Sequence, residues 1–337
     1  MRQLQIQSYG PPRTALRFAD VAVPVPAERD VVVKVLAAAL NPIDYKMAAG
    51  ALRRLQALKL PAPCGFDCCG TIEASGPGVS GLASGERVFA RLPRQRMGSL
   101  ADYAVVEARY VAKAPPTLSA ADCASLPLVG LTTMQALVDR AHAQPGQYVL
   151  IHAGSGGLGC FAIQYAKREL GLHVTTTTSS RNAEWVRGLG ADVVIAYDRE
   201  DYRAAPARYD IVFDTLGGRV TGDSFSVLKR GGVVVSVAGP PDRRFPTQVG
   251  AGIWLSAAMR LAGLPMELRA LSVRGRYFRF LTESDGWQLR HVAEVVASGK
   301  VKPVVDRVFP FDRAVEALEY LAAGRAKGKV VIEISKQ

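Results

Sequence analysis

The feature that most restricts the fold of this 337-residue chain is a glycine-rich turn near its middle, Gly154-Ser155-Gly156-Gly157-Leu158-Gly159. It follows the apolar run YVLIH (148–152) and opens LGCFAIQYAKREL (158–170), whose apolar residues recur at helical spacing. A strand that passes through G-x-G-x-x-G into a helix begins a βαβ unit built to hold a dinucleotide. Gly154 permits the tight turn, Gly156 lets the backbone approach a pyrophosphate, and Gly159 allows the helix to pack closely on the strand. The amides of Ser155, Gly157 and Leu158 stand at the helix start, where unpaired N–H groups and the helix dipole favour negative charge.

The flanking sequence divides into two styles. Residues 2–7, 30–38, 71–74, 87–90 and 101–106 are short β-branched runs separated by Gly, Pro and Ser turns, which predicts a compact β-rich domain. From residue 119 helical patterns appear at 119–126 and 132–143. Strands at 148–152, 173–178, 193–196, 210–214 and 233–237 then alternate with helices at 157–170, 182–189 and 220–228. Such alternation predicts a parallel, doubly wound sheet with right-handed crossovers. After Gly239-Pro240-Pro241 comes an Arg-rich connection containing 253–262. It is followed by an alternating strand at 272–281, helices at 291–298 and 313–323 with Asp312 as N-cap and Gly324 as stop, and a last strand at 329–334. The expected domains are 1–122, 123–264 and 265–337, the last holding an edge strand and a return to the first domain.

NAD-binding turns of this kind place an acid about twenty residues after the first glycine, to hold the ribose hydroxyls. Residues 173–182 read H-V-T-T-T-T-S-S-R-N and contain no acid. Ser179, Ser180 and Arg181 instead suit a 2′-phosphate, which points to NADPH. Arg181 has a blander role open to it, capping the next helix from solvent.

The formal net charge of +12 favours anionic ligands without identifying one. Apart from a denser stretch at 260–279, the cations are scattered and lack interleaved aromatics, so nucleic acid is not an expected partner. The five cysteines (64, 68, 69, 123 and 160) are odd in number and irregular in spacing, which excludes a secreted disulfide framework. They read as small packed hydrophobes or an exposed redox-sensitive thiol. The start MRQLQIQSYGPP has no signal-peptide pattern, and no run approaches the eighteen or so apolar residues of a membrane helix, so a cytoplasmic location is expected.

Several motifs in order resemble the medium-chain dehydrogenase/reductase superfamily, in its zinc-independent quinone oxidoreductase-like (zeta-crystallin-like) branch. They are N-P-I-D-Y-K (41–46), G-F-D-C-C-G-T-I-E-A-S-G-P-G-V (65–79), G-S-L-A-D-Y-A-V-V (98–106), L-P-L-V-G-L-T-T-M-Q-A-L (126–137), H-A-G-S-G-G-L-G (152–159), S-S-R-N (179–182), G-A-D-V-V-I-A-Y (190–197) and G-R-A-K-G-K-V-V-I (324–332). The resemblance implies a Rossmann domain inserted in a GroES-like catalytic domain, with the C-terminal segment returning to the latter. It also implies NADPH held in a cleft between the two, and a homodimer paired through edge strands.

Zinc alcohol dehydrogenases belong to the same superfamily. Where they carry a ligating Cys and the His of G-H-E, this chain has Asn41 and Phe66, so no metal site is expected. Without a metal to polarise a carbonyl, hydride transfer to a quinone or α,β-unsaturated carbonyl fits better than alcohol oxidation. The developing enolate then needs aimed hydrogen bonds. By resemblance Tyr45, Lys46 and Asn41 are the catalytic candidates. Asn41, Thr132, Tyr197, Val237, Ala238 and Lys329 join the glycine turn and Ser179–Arg181 as cofactor candidates. Tyr45 and Lys46 have the alternative of covering the turn after Asn41-Pro42, and Lys327 and Lys329 that of solvated lysines. Asp44 and Asp67 are read as organisers of their loops. An enoyl-thioester reductase and an NADPH-responsive nucleic-acid-binding protein remain alternative functions.

Overall fold

The computed structural model describes residues 1–204 and 208–335. It divides into two compact units, Met1–Leu131 with Glu283–Gln337, and Thr132–Thr282. In chain order the first contributes β1 (Arg2–Ile6), β2 (Leu16–Asp20), β3 (Asp30–Leu40), β4 (Ala62–Pro63), β5 (Asp67–Ser75), β6 (Arg87–Arg91), β7 (Tyr103–Glu107) and β8 (Val111–Lys113). The second contributes β9 (Tyr148–Ile151), β10 (His173–Thr178), β11 (Val193–Ala196), β12 (Tyr209–Asp214), β13 (Leu228–Ser236) and β14 (Arg276–Arg279). The first unit resumes with β15 (Val305–Pro310) and β16 (Lys329–Glu333).

In the first unit β3 is the organising strand. Its run DVVVKVLAAAL is rich in β-branched residues and almost wholly buried, as a strand covered on both faces must be. It pairs antiparallel with β5, β7 and β16, so the C-terminal strand does return to the β-rich domain. The registers put four strand ends together. Asp67 lies opposite Ala39 of β3 and Arg91 of β6, and Val330 lies opposite Leu40.

The second unit is a six-stranded parallel sheet in the order β11-β10-β9-β12-β13-β14. The order reverses between β9 and β12, which places a switch point at the carboxyl end of β9. One face is packed by apolar residues of the helix Gly157–Arg168, including Ala162, Ile163 and Ala166.

Six sequence expectations change. The boundary expected at 122/123 falls at 131/132: the helix Ala120–Ala124 packs on β3 and β5, and the amide of Leu128 donates to Asp67 Oδ2 at 3.3 Å. The boundary expected at 264/265 falls at 282/283, because β14 continues the nucleotide-type sheet in register with β13. The Arg-rich connection is largely a 20-residue helix, Ile253–Ser272, so the strand expected at 272–281 shrinks to the four residues of β14. Asp312 does not cap its helix; Arg313 holds that position and Asp312 pairs with Arg2. Ala120–Arg140 is apolar and long enough to cross a membrane, contrary to the count of apolar runs, yet it is mostly buried inside the fold. All five cysteines are buried and none of them forms a disulfide, so the exposed-thiol alternative falls away.

Candidate active site

The glycine turn has the geometry its spacing predicts. A Cβ on Gly154 would sit 2.3 Å from Thr176 Oγ1 of the neighbouring strand, and one on Gly159 would sit 2.3 Å from the Ala153 carbonyl. Neither position admits a side chain. At Gly156 the nearest protein atom to such a Cβ is 3.4 Å away, so the space there is free for a ligand to approach. Gly156 is the N-cap of the helix Gly157–Arg168, and no side chain caps it. Its first amides are therefore available to an anion.

At the carboxyl end of β10, Ser179 is buried and its hydroxyl has no partner among the described residues. An orphaned buried hydroxyl costs about 1–3 kcal/mol unless something satisfies it. Arg181 is exposed, as is Tyr197 at the end of β11. The stretch is less free of acid than its sequence suggests. Asp198, which follows β11, accepts from the Ser180 amide at 2.8 Å and from its hydroxyl at 2.7 Å, and these bonds hold its carboxyl below the usual range. Sequence reasoning missed Asp198 because the contact spans two strands.

Val237 and Ala238 leave β13 beside the end of β12. There Asp214 accepts from Thr221, Ser236 and the amides of Leu216 and Gly217 at 2.6–3.0 Å. His152, at the end of β9, is also new. Burial drives its imidazole down to about 4, and its Nε2 has no hydrogen-bond partner among the described residues. The buried Thr132 hydroxyl meets that of Thr282 at 2.7 Å, joining the first and last residues of the second unit.

In the first unit the converging strand ends form a buried polar cluster. Asn41 donates from Nδ2 to Asp67 Oδ2 at 2.9 Å and accepts at Oδ1 from the Lys329 ammonium. Lys329 also donates to the Leu40 carbonyl at 3.1 Å and lies 3.5 Å from Asp67. It is thus one of the buried residues, not a solvated lysine. Asp44 accepts from the Asn41 amide at 2.6 Å. Arg91, not among the candidates named from the sequence, is buried with its guanidinium 5.4 Å from the Phe66 ring and 3.1 Å from Ser284 Oγ.

Two buried acids thus face two buried bases. Burial raises the carboxyls, Asp44 to about 7, and lowers Lys329 and Arg91, the latter to about 10. Opposite charges within the cluster work against each of these shifts. Tyr45 and Lys46 follow Asn41 on the helix Pro42–Ala48, Tyr45 half-buried and Lys46 exposed.

Comparison with known proteins agrees with this arrangement. Residues 27–116 match the alcohol dehydrogenase GroES-like domain and residues 189–332 the zinc-binding dehydrogenase family. The chain is 34% identical to a 2-methylene-furan-3-one reductase of Solanum lycopersicum, over 98% of this chain and 79% of that protein. It is also 34% identical to an NADPH-dependent alkenal/one oxidoreductase, chloroplastic, of Arabidopsis thaliana, over 93% and 74%. The solved quinone oxidoreductase of Coxiella burnetii superposes with a TM-score of 0.86 at 31% identity, covering 99% of each chain.

Proposed function

The chain belongs to the medium-chain dehydrogenase/reductase superfamily, in its quinone oxidoreductase-like branch, and on that premise we propose that it reduces a quinone or α,β-unsaturated carbonyl compound with NADPH and without zinc. The observation that carries this reading is the turn at β9, with open space at Gly156, an uncapped helix start and the unpartnered Ser179 hydroxyl beside it. Arg181 and Tyr197, both exposed at the adjoining strand ends, support a 2′-phosphate there. The Asp198 carboxylate on Ser180 adds negative charge there, which the exposed Arg181 would have to outweigh.

When bound, NADPH supplies a hydride; the rest falls to the chain. Partial burial raises the Tyr45 phenol above its ordinary value, so at neutral pH it stays protonated and donates a hydrogen bond to a substrate oxygen. Lys46, exposed beside it, adds a positive charge. Asn41 acts through orientation, since Lys329 and Asp67 already engage its amide. A reading without zinc is supported by chemistry: Phe66 offers no donor atom, and the Asn41 amide is a poor substitute for a thiolate.

The test is NADPH or NADH oxidation against a panel of quinones, enones, alkenals and enoyl thioesters, with and without chelator. Turnover of enones or quinones with NADPH, unchanged by chelator, is expected. Preference for NADH, or activity that chelation abolishes and zinc restores, overturns the proposal. An enoyl thioester consumed faster than every enone and quinone moves the substrate class.

A further inference from the structure

Among the described residues the largest fully enclosed side chain is a cation, Arg91 at the end of β6. A buried arginine is ordinarily matched by a carboxylate, or by hydrogen bonds to most of its donors. Arg91 has neither. It makes one hydrogen bond, from Nη1 to Ser284 Oγ at 3.1 Å; its enclosed Nε has no partner, and no ion pair reaches it among the described residues. The two nearby acids are engaged elsewhere. Asp67 Oδ2 takes Asn41, the Leu128 amide and Lys329, and Asp44 takes the Asn41 amide. Burial holds the Arg91 guanidinium down at about 10, although both acids attract it from beyond ion-pair distance. Its place is nonetheless fixed. It lies over the Phe66 ring, and the Leu92 amide beside it donates to the Phe66 carbonyl at 2.8 Å.

A second cation without a partner adjoins it. Arg94 opens the short turn Arg94–Arg96, which Gln56 anchors by donating from Nε2 to the Arg94 carbonyl at 2.7 Å. The Arg94 side chain is half-buried and makes no ion pair or hydrogen bond among the described residues. Its charge is one of the influences that push Arg91 down. Glu283 attracts both guanidiniums without pairing with either, and it is exposed, so solvent screens it. Within the cluster Lys329, Arg91 and Arg94 then outnumber Asp44 and Asp67, and one positive charge is left over. Two neighbouring guanidinium forks suit a carboxylate, which accepts two parallel hydrogen bonds and brings a single negative charge. The second charge of a phosphate would meet Asp44 and Asp67. Asn41 belongs to the same cluster, so these cations share the strand ends that carry the catalytic candidates.

We propose, resting on the reading of this chain as an enone or quinone reductase, that Arg91 and Arg94 together receive a carboxylate of the acceptor, so that its substrate class is the singly charged enone or quinone acid. The test compares three acceptors with NADPH: benzalacetone, benzalacetone carrying a para carboxylate, and the methyl ester of that acid. The parent should favour the acid over its ester by about tenfold or more in kcat/KM, chiefly through a lower KM. Arg91→Met should remove that preference, and Arg91→Lys, which keeps the charge without the fork, should restore part of it. A ratio of two substrates is unmoved by a general loss of folded enzyme, so a merely structural role leaves it intact. If Arg91→Met does not fold, Arg94→Met at the half-buried position should lower the same ratio. With the parent alone, benzoate should inhibit benzalacetone reduction competitively where benzyl alcohol does not. Reduction of benzalacetone with no preference for the acid overturns this inference and leaves the reductase reading standing, as does a preference that survives in both methionine variants. No turnover of any of the three acceptors, nor of a quinone, overturns the reductase reading and this inference with it.

Discussion

Single residues carry the chemistry here through what surrounds them. Lys329 is held, buried, among Leu40, Asn41 and Asp67. Lys329→Met leaves the Asp67 carboxylate buried and unpaired, and should destabilise the protein by roughly 3–5 kcal/mol. Adding Asp67→Leu should recover much of that loss, because a buried pair replaced by apolar groups is often neutral. Denaturant melts of the parent, single and double variants check the order; a single variant as stable as the parent contradicts the network. Tyr45 makes a different prediction. Tyr45→Phe keeps the ring against the apolar core and deletes the hydroxyl, so turnover of the best enone should fall about 100-fold while the dissociation constant of NADPH barely changes. Parental turnover in Tyr45→Phe would pass the donor role to Lys46.

At the scale of elements, the strand–turn–helix at β9 separates packing from ligand binding. Gly159→Ala forces a Cβ to 2.3 Å from the Ala153 carbonyl, a backbone atom that cannot yield cheaply. It should lower stability and dinucleotide affinity together. Gly156 has φ −78° and ψ 164°, a conformation open to any residue, and 3.4 Å of clearance. Gly156→Ala should therefore leave the melting midpoint within a degree or two yet weaken NADPH, by standing where the phosphate approaches. Thermal melts combined with a fluorescence titration distinguish the two. If Gly156→Ala binds NADPH like the parent, the pyrophosphate does not lie on this turn.

For the whole molecule, the buried acid Asp44 should imprint itself on stability against pH. Its carboxyl titrates at about 7 when folded and at the ordinary 3.8 when unfolded. Below 3.8 it is neutral in both states and adds no penalty. Between 3.8 and 7 the unfolded chain ionises first, so the folded state loses ground as pH rises. Compared with Asp44→Asn, the parent should thus lose stability across that window, and the difference should flatten above pH 7. Parallel stability curves for the two proteins would place Asp44 in a wetter setting than its burial implies.

The sequence determined the local rules. Gly154, Gly156 and Gly159 announced the turn because only glycine fits two of those positions, and period-two and helical patterns announced the alternation, because burying one face demands them. It also located Asn41 and Phe66, since chemistry at a position is read directly. What joins distant segments was decided only in three dimensions. Arg91 and Lys329 carry no local mark of burial, and they become partners of Asp67 through the registers of β6, β5, β3 and β16. Asp198 reaches Ser180 only because β10 and β11 lie side by side. The helix Ile253–Ser272 escaped detection because residues apolar on two faces leave no polar side for a periodicity to reveal. Patterns report how an element meets its nearest surface, whereas the strand-end cluster depends on pairings between segments hundreds of residues apart.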